Sequence, residues 1–375
     1  MKKKIAIIGS GIAGLALGNL LKKTQSCDFM IYEKDDGLKF NEGYGIQLST
    51  NSISILNDID FDNIDKKQVF NPNKINFFSI KNKKICELDL KVFNRSDVKY
   101  TTMRRSTLIE FLKEKVYKNN LKFNKVVKKI SELKGKMLIN FEDNTNDLVD
   151  YICVCDGVFS NTKTIIENKS YKPKYSGSVA IRKILKSSNP EGFDNQNISI
   201  FMGSNSHIVS YPINMKGDLN LVLISRTRLN TENINSILEK NILNQNKKFS
   251  KIFSEDAKSW PIYVSNKIIK PKNEKVFYLG DAFHTLLPTM AQGASQSIED
   301  AYELSLLLSK NVTNAHVTYY DKRSKKINSI IYRSKLNYFS FHLSNSLLSK
   351  IRNYLMKTMT KNKKFLNLYL GKVYN

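Results

Sequence analysis

Lys4-Ile5-Ala6-Ile7-Ile8-Gly9-Ser10-Gly11-Ile12-Ala13-Gly14 is the stretch that decides the fold. The run from Lys4 to Ile8 is short and apolar, as a buried parallel strand requires. Gly9 permits a tight turn, Gly11 lets the backbone approach a pyrophosphate, and Gly14 lets a helix from Leu15 to Lys22 pack close to the strand. Bare amides at that helix start point at phosphates, and the helix dipole favours negative charge there. A second strand, Phe29-Met30-Ile31-Tyr32, ends in Glu33. That carboxylate can accept both hydroxyls of an adenosine ribose and disfavours a 2′-phosphate, so the dinucleotide predicted here is not NADP.

Working outward, a second motif lies near the other end of the chain. Lys275-Val276-Phe277-Tyr278-Leu279 reads as another buried strand and runs into Gly280-Asp281-Ala282-Phe283-His284. Asp281, at a strand end, can hydrogen-bond a polyol chain. The sequence then passes Pro288 into Ala291-Gln292-Gly293-Ala294-Ser295-Gln296-Ser297-Ile298-Glu299-Asp300-Ala301. A helix beginning near Gly293 and Ala294 aims its positive end at whatever lies above it. A reduced isoalloxazine is anionic at its N1–C2=O edge, which such an end stabilises. Together the two motifs narrow the dinucleotide to FAD, bound by a domain assembled from both ends of the chain, and point to an oxidoreductase.

On these residues the chain resembles the single-component FAD-dependent aromatic hydroxylases of the para-hydroxybenzoate hydroxylase fold. The likeness is closest to the salicylate hydroxylase branch, which also holds urate- and hydroxynicotinate-type hydroxylases. Gly43-Tyr44-Gly45-Ile46-Gln47-Leu48-Ser49-Thr50-Asn51 resembles the family's segment beside the flavin, placing Gln47 there. Arg105-Ser106-Thr107-Leu108 resembles a helix start whose Arg105 binds flavin or its phosphates. Cys155-Asp156-Gly157 resembles an Asp-Gly motif that serves both flavin and pyridine nucleotide. One departure is Lys163, where the family usually has arginine. Lysine keeps the charge and loses the bidentate fork, which alters the expected contact with NADH or NADPH. Pro288 is expected to shape the loop on which oxygen is activated, and His284 to orient backbone.

The expected fold is α/β: a discontinuous Rossmann-like FAD-binding domain, a mostly antiparallel β-sheet substrate domain and a C-terminal helical tail. The FAD-binding domain takes residues 1–68, 97–165 and 268–330, and the substrate domain 69–96 and 166–267. Residues 331–375 form a basic helical tail packed on the FAD domain. Two hairpins are predicted in the substrate domain. Phe77–Ile80 pairs with Lys84–Leu88, and Ser206–Pro212 with Leu219–Ile224 across the polar turn Lys216-Gly217-Asp218. With 375 residues, 41% of them apolar, the chain can build one large or two modest cores.

Cys27, Cys86, Cys153 and Cys155 have neither metal-ligand spacing nor a Cys-x-x-Cys pair. They read as small buried side chains in a reducing, cytoplasmic setting; no metal and no redox disulfide are expected. A second Gly-x-Gly-x-x-Gly is missing, so NADH or NADPH visits a groove as co-substrate. No stretch reads as a signal peptide or a membrane span. The net charge of +26 comes from lysine spread over the whole chain, without interleaved aromatics, and does not imply nucleic acid. It can steer an anionic substrate inward. The tail differs: from Lys322 onward there are thirteen Lys or Arg and no Asp or Glu. Leu343, Leu347, Leu348, Ile351 and Leu355 recur there at helical spacing. Packing on the flavin domain is the expected reading of that stripe, with peripheral contact to an anionic membrane as its alternative.

The resemblance implies an NAD(P)H- and O2-dependent monooxygenase acting through a flavin C4a-hydroperoxide on a small aromatic or heteroaromatic substrate, acidic or phenolic. Three side chains are candidates for its chemistry. His207 and Tyr211 lie four apart on one strand face, where they would bind and deprotonate a ring hydroxyl, with histidine titrating near working pH. Arg182 would clamp a carboxylate. The bland alternatives are a strand-end histidine, a core tyrosine and a surface ion pair. His316 and His342 read as surface or packing residues. Two other functions stay open: a same-fold reductase or epoxidase acting on an isoprenoid lipid at a membrane, and a non-catalytic FAD-fold binding protein. Monomer and homodimer are equally compatible with the sequence.

Overall fold

The computed structural model describes residues 2–38, 44–187, 192–228, 231–265 and 267–374. Gly43 and Asn375 lie outside the described residues.

The first apolar run forms the strand Lys3–Ile8, the centre of a five-stranded sheet. Its order is Val276–Tyr278, Tyr151–Val154, Lys3–Ile8, Cys27–Tyr32, Leu121–Lys122, with every pairing parallel. Strands from both ends of the chain thus sit side by side, as the split motifs require. Helix α1 (Ile12–Thr24) is buried continuously from Ala13 to Leu21. It is wedged between the sheet, α2 (Arg105–Lys115) and α3 (Gly293–Ser309). The core around it takes Ile5, Ile7, Leu15, Leu17, Val154 and Phe277, all shielded from solvent.

A seven-stranded sheet forms the second unit, ordered Lys258–Val264, Lys174–Leu185, Leu219–Arg226, Ser206–Pro212, Ile198–Gly203, Lys74–Ser79, Lys84–Asp89. Both expected hairpins are present, and the sheet is antiparallel except where Ile198–Gly203 runs alongside Lys74–Ser79. One face is closed by the helical segment 234–254, which drives Phe249 and Phe253 against Phe201 and Leu221. A small sheet of Gly45–Leu48, Thr101–Arg104 and Val69–Phe70 hinges the two units. It is tied down by Gly45 N to Asn220 Oδ1 (2.8 Å), Thr102 Oγ1 to Pro212 O (2.5 Å) and the Arg104–Asp218 ion pair (3.0 Å).

The opposite face of the large sheet is covered by C-terminal helices α4 (Ala315–Phe341) and α5 (Ser346–Met359) and by the last turns, 363–374. Helix α4 packs on α3 of the nucleotide-binding unit, and Tyr374 O accepts from Thr50 Oγ1 there (3.1 Å). Helix α5 departs from the expected packing on that unit. It lies against the strand Lys84–Asp89 of the other sheet and has no buried residue. The leucine stripe located its apolar face without specifying a partner. Among the described residues no helix is long and apolar enough to cross a membrane.

Candidate active site

Parallel pairing brings the carboxyl ends of four strands to one edge. Gly9-Ser10-Gly11, Glu33, Asp156-Gly157 and Gly280-Asp281 follow those ends. Their glycines are required by crowding. A Cβ on Gly14 would stand 2.0 Å from Gly9 O, and one on Gly9 (φ +102°) 2.6 Å from Cys155 O. A Cβ on Gly280 would stand 3.1 Å from Ala13 of α1, so the two sequence motifs touch. Gly11 and Gly293 are different: nothing lies within 4 Å of where their Cβ atoms would be. They leave an open cradle at the N-termini of α1 and α3.

These residues fit FAD. The open backbone at Gly11 suits a pyrophosphate, and Asp156 Oδ1 is buried with no hydrogen-bond partner. Burial pushes the Asp156 carboxyl up, against the Ser160 and Thr162 hydrogen bonds that pull it down. Glu33 fastens the glycine turn: its Oε2 accepts from Ser10 N (2.8 Å) and Ser10 Oγ (2.6 Å). Asp281 opens onto the cleft, yet close-packed protein pushes its carboxyl up, while His284 and Arg105 pull it down. Arg105 therefore stands near Asp281, across from the glycine turn. The start of α3 is pinned to the Gln47 segment by Gln292 Nε2 to Ser49 Oγ (3.0 Å) and Ser49 N to Ser295 Oγ (3.2 Å). Pro288 opens a single tight turn that ends at Ala291 with φ +52°. Ala294 is half-buried beside this turn.

Beneath the Gly280-Asp281 turn lies a buried charge network that sequence reasoning missed. Asp300 accepts from Gly280 N (2.8 Å), His284 Nε2 (2.7 Å) and Arg323 Nε (2.6 Å). Arg323 continues to Glu299 Oε1 (2.5 Å) and Gln296 Oε1 (2.7 Å), and Glu299 Oε2 accepts from Asn51 (2.8 Å). Burial alone would push the Asp300 carboxyl up; His284 and Arg323 hold it below the usual carboxylate range. His284 thus fixes the turn, as expected of it. Arg323, one of many basic residues in the tail, carried no signal of this role.

A cavity of about 780 Å³ runs from the flavin loops to the C-terminal helices. Gln47, Tyr100, Pro288, Ala291 and Tyr374 line its inner end, His207 and Val209 its sheet wall. Tyr100 donates to Gln47 Oε1 (2.8 Å), and Tyr211 also reaches Gln47. Burial pushes the Tyr211 hydroxyl up strongly, with Arg182 opposing, so it stays protonated. His207 is buried, and burial pushes its pKa down to about 3, not near neutrality as expected. Its Nδ1 lies 2.6 Å from Nε2 of His342, itself buried rather than at the surface. Burial, His207 and Arg226 push His342 down to about 2. His342 Nδ1 has no partner. An orphaned lone pair is tolerated better than an orphaned N–H, so His342 donates through Nε2. His207 then carries its own proton on Nε2 and acts as a donor.

Arg182 does not join this cavity wall. Its guanidinium lies to one side of the Tyr44–Trp260 ring pair, whose centroids are 4.9 Å apart, at 5.8 and 5.7 Å from them, with Nε buried and unpartnered. Lys163 also turns inward: its ammonium donates to Ala282 O (3.0 Å) beside Tyr278, bracing the Gly-Asp turn. His316 is buried against Phe277 and Tyr320. Among the described residues no three His, Cys, Asp or Glu side chains gather as metal ligands.

A two-unit α/β architecture with a nucleotide cradle at strand ends and a deep apolar cavity beyond it is the frame of a flavin-dependent oxidoreductase. The family model described as "FAD binding domain" matches residues 2–334, and the chain belongs to that family. It is 23% identical over 373 residues to the 3-amino-4-hydroxybenzoate 2-monooxygenase PtmB3 of Streptomyces platensis, covering 95% of this chain and 93% of that protein. The structure of Klebsiella pneumoniae HpxO complexed with FAD and uric acid superimposes with a TM-score of 0.84 at 16% identity, covering 100% of this chain and 97% of that one. A salicylate hydroxylase substrate complex gives 0.79 at 16% identity, with 96% and 95% covered. The chain is an FAD-dependent monooxygenase.

Proposed function

We propose that this flavoenzyme takes electrons from NADH or NADPH and places one oxygen atom of O2 on an aromatic or heteroaromatic ring bearing a hydroxyl. FAD, when bound, supplies the redox chemistry that activates oxygen. Gly11 and Glu33 would hold its pyrophosphate and adenosine end, on a turn whose close packing Gly9 and Gly14 allow; Asp156, Arg105, Gly280 and Asp281 its middle; Gln47, Pro288, Gly293 and Ala294 its ring. The N-terminal amides of α3 aim at the cleft and favour negative charge there. The cavity excludes water and holds the substrate ring against the Pro288 turn. His207, protonated on Nε2, donates to an oxygen of that ring and orients it. Neither His207 nor Tyr211 serves as a general base near neutral pH: burial leaves His207 with too little proton affinity, and Tyr211 already holds its proton. Arg182 stays at the Tyr44 side of the site, where its charge favours an anionic form of a nearby group.

The observation that carries this reading is the continuity of one cavity from Gln47 and Pro288 to His207 against the seven-stranded sheet. The test is a screen of phenols, hydroxypyridines and purines for stimulated NAD(P)H oxidation under labelled dioxygen. One label per product ring is expected. Ligand-stimulated NAD(P)H oxidation that releases only peroxide, with no labelled product from any ring, would overturn it.

A further inference from the structure

The cavity is larger and greasier than a one-ring acid needs. Its volume of about 780 Å³ is shared between the flavin ring, at the Gln47 and Pro288 end, and whatever fills the outer half. Its outer half is walled by Leu336, Phe339, Leu343, Ile351, Leu355 and Met359. The guanidiniums at that end, Arg333 and Arg352, donate to the backbone carbonyls of Leu368 and Ser340.

The same helices are apolar on the outside. On α5, Leu347 and Tyr354 are 65% and 72% exposed, and Leu348, Ile351, Leu355 and Met359 are also open. Leu336 and Phe339 of α4 adjoin them. An amphipathic helix without one buried residue, carrying Lys350, Arg352 and Lys357 and no acidic side chain, has the composition of an interfacial helix. Charge decides between occupants. A second copy would bring two such basic segments together, whereas an anionic lipid surface strengthens binding about fivefold for each basic residue near it.

We propose that α5 docks on an anionic phospholipid bilayer, and that the outer cavity receives an apolar chain carried by the substrate, which enters from that bilayer. The inference rests on the ring-hydroxylation reading for the inner end of the cavity and adds the chain and its source. Leu348, Ile351 and Leu355 belong both to the exposed face and to the cavity wall, so the channel mouth lies on the docking face.

Two measurements on the FAD-loaded full chain test it. In sedimentation with vesicles, the protein should pellet with equimolar phosphatidylcholine and phosphatidylglycerol and stay in solution with phosphatidylcholine alone. Leu347→Glu with Tyr354→Glu should abolish pelleting; neither residue lines the cavity. No pelleting, or equal pelleting on both vesicles, overturns the docking. So does a dimer in solution that this double variant converts to monomer, because the face then belongs to a second copy. In the other measurement, para-alkylphenols of increasing chain length are titrated against the bound-flavin fluorescence. Affinity should rise about fourfold per methylene until the channel is full. Leu355→Trp should shorten that series. Affinity indifferent to chain length overturns the channel. Oxygen incorporation, measured alongside, separates the two readings: tightening without hydroxylation of any phenol removes the ring chemistry and leaves the channel standing.

Discussion

At the scale of single residues, Gly11 and Gly14 separate ligand binding from folding. A methyl on Gly14 meets Gly9 O at 2.0 Å, so Gly14→Ala must displace backbone inside the core. A loss of roughly 2 kcal/mol or more is expected in the apoprotein, read by urea denaturation. A methyl on Gly11 meets nothing and the backbone there has φ −75°, which alanine adopts freely. Gly11→Ala should leave apoprotein stability within about 0.5 kcal/mol and still lose FAD, read as the flavin absorbance retained on desalting. The histidine pair gives a second prediction. The folded pKa values, about 3 for His207 and about 2 for His342, lie below the ~6.5 of an unfolded histidine. Below that pH the unfolded chain takes up protons that the folded chain refuses, so acidification destabilises. Each histidine should remove about 2 kcal/mol between pH 7 and pH 5. The variant His207→Phe with His342→Phe should lack that slope apart from the share of His316, whose pKa burial also lowers. An unchanged slope in the double variant would refute the assignment. The glycine roles were legible because turn geometry is local. The pair was not: 135 residues separate its members, and burial is what silences both.

Secondary elements are held at the site by the charges that join α3 and α4. Arg323 satisfies Asp300 and Glu299 together, and Asp300 in turn fixes Gly280 and His284. Arg323→Met would remove the cation the two carboxylates share, leaving Glu299 to Lys326 (2.9 Å) and Asn51 and the buried Asp300 to Gly280 N and His284. Breaking a buried pair in this way costs about 3–5 kcal/mol, so a large fall in melting temperature is expected. Any holoprotein that survives should release FAD faster, because the Gly280-Asp281 turn is unlocked. Asp300 has a depressed folded pKa. The stability it contributes is therefore present above its unfolded value and lost as pH falls through the folded one, an acid limb below that of the histidines. Helix α3 itself was readable from Gly293 onward, since it starts on a glycine a few residues after Pro288. The direction taken by α5 was not, because Leu343, Leu347, Leu348, Ile351 and Leu355 mark a face without saying what it meets.

In the whole molecule, the two units and the tail close one cavity, and the end of the described chain is a structural part of its wall. The two-unit plan could be read from motifs at opposite ends of the sequence, because parallel pairing must bring their strands together. The closure could not, because it depends on the contacts of Tyr374. That side chain is buried against Phe93 and Tyr100 at the Gln47 end of the cavity, and its carbonyl is held by Thr50. Its neighbours Leu366, Leu370 and Val373 enter the same core. Tyr374→Ala should cost about 3–5 kcal/mol through the void it leaves. The consequence for function follows from where that void opens. Tyr374 reaches Gln47 through Tyr100 and lies away from the glycine turn, so flavin content in the folded fraction should stay near that of the unaltered protein. Water, however, would gain a path to the inner cavity. An active site that must stay dry then wastes its reducing equivalents. The expected signature is NAD(P)H oxidation that persists while the yield of hydroxylated ring falls and peroxide rises in its place. Equal loss of NAD(P)H oxidation and hydroxylation, with no added peroxide, would show that Tyr374 supports the fold without sealing the site.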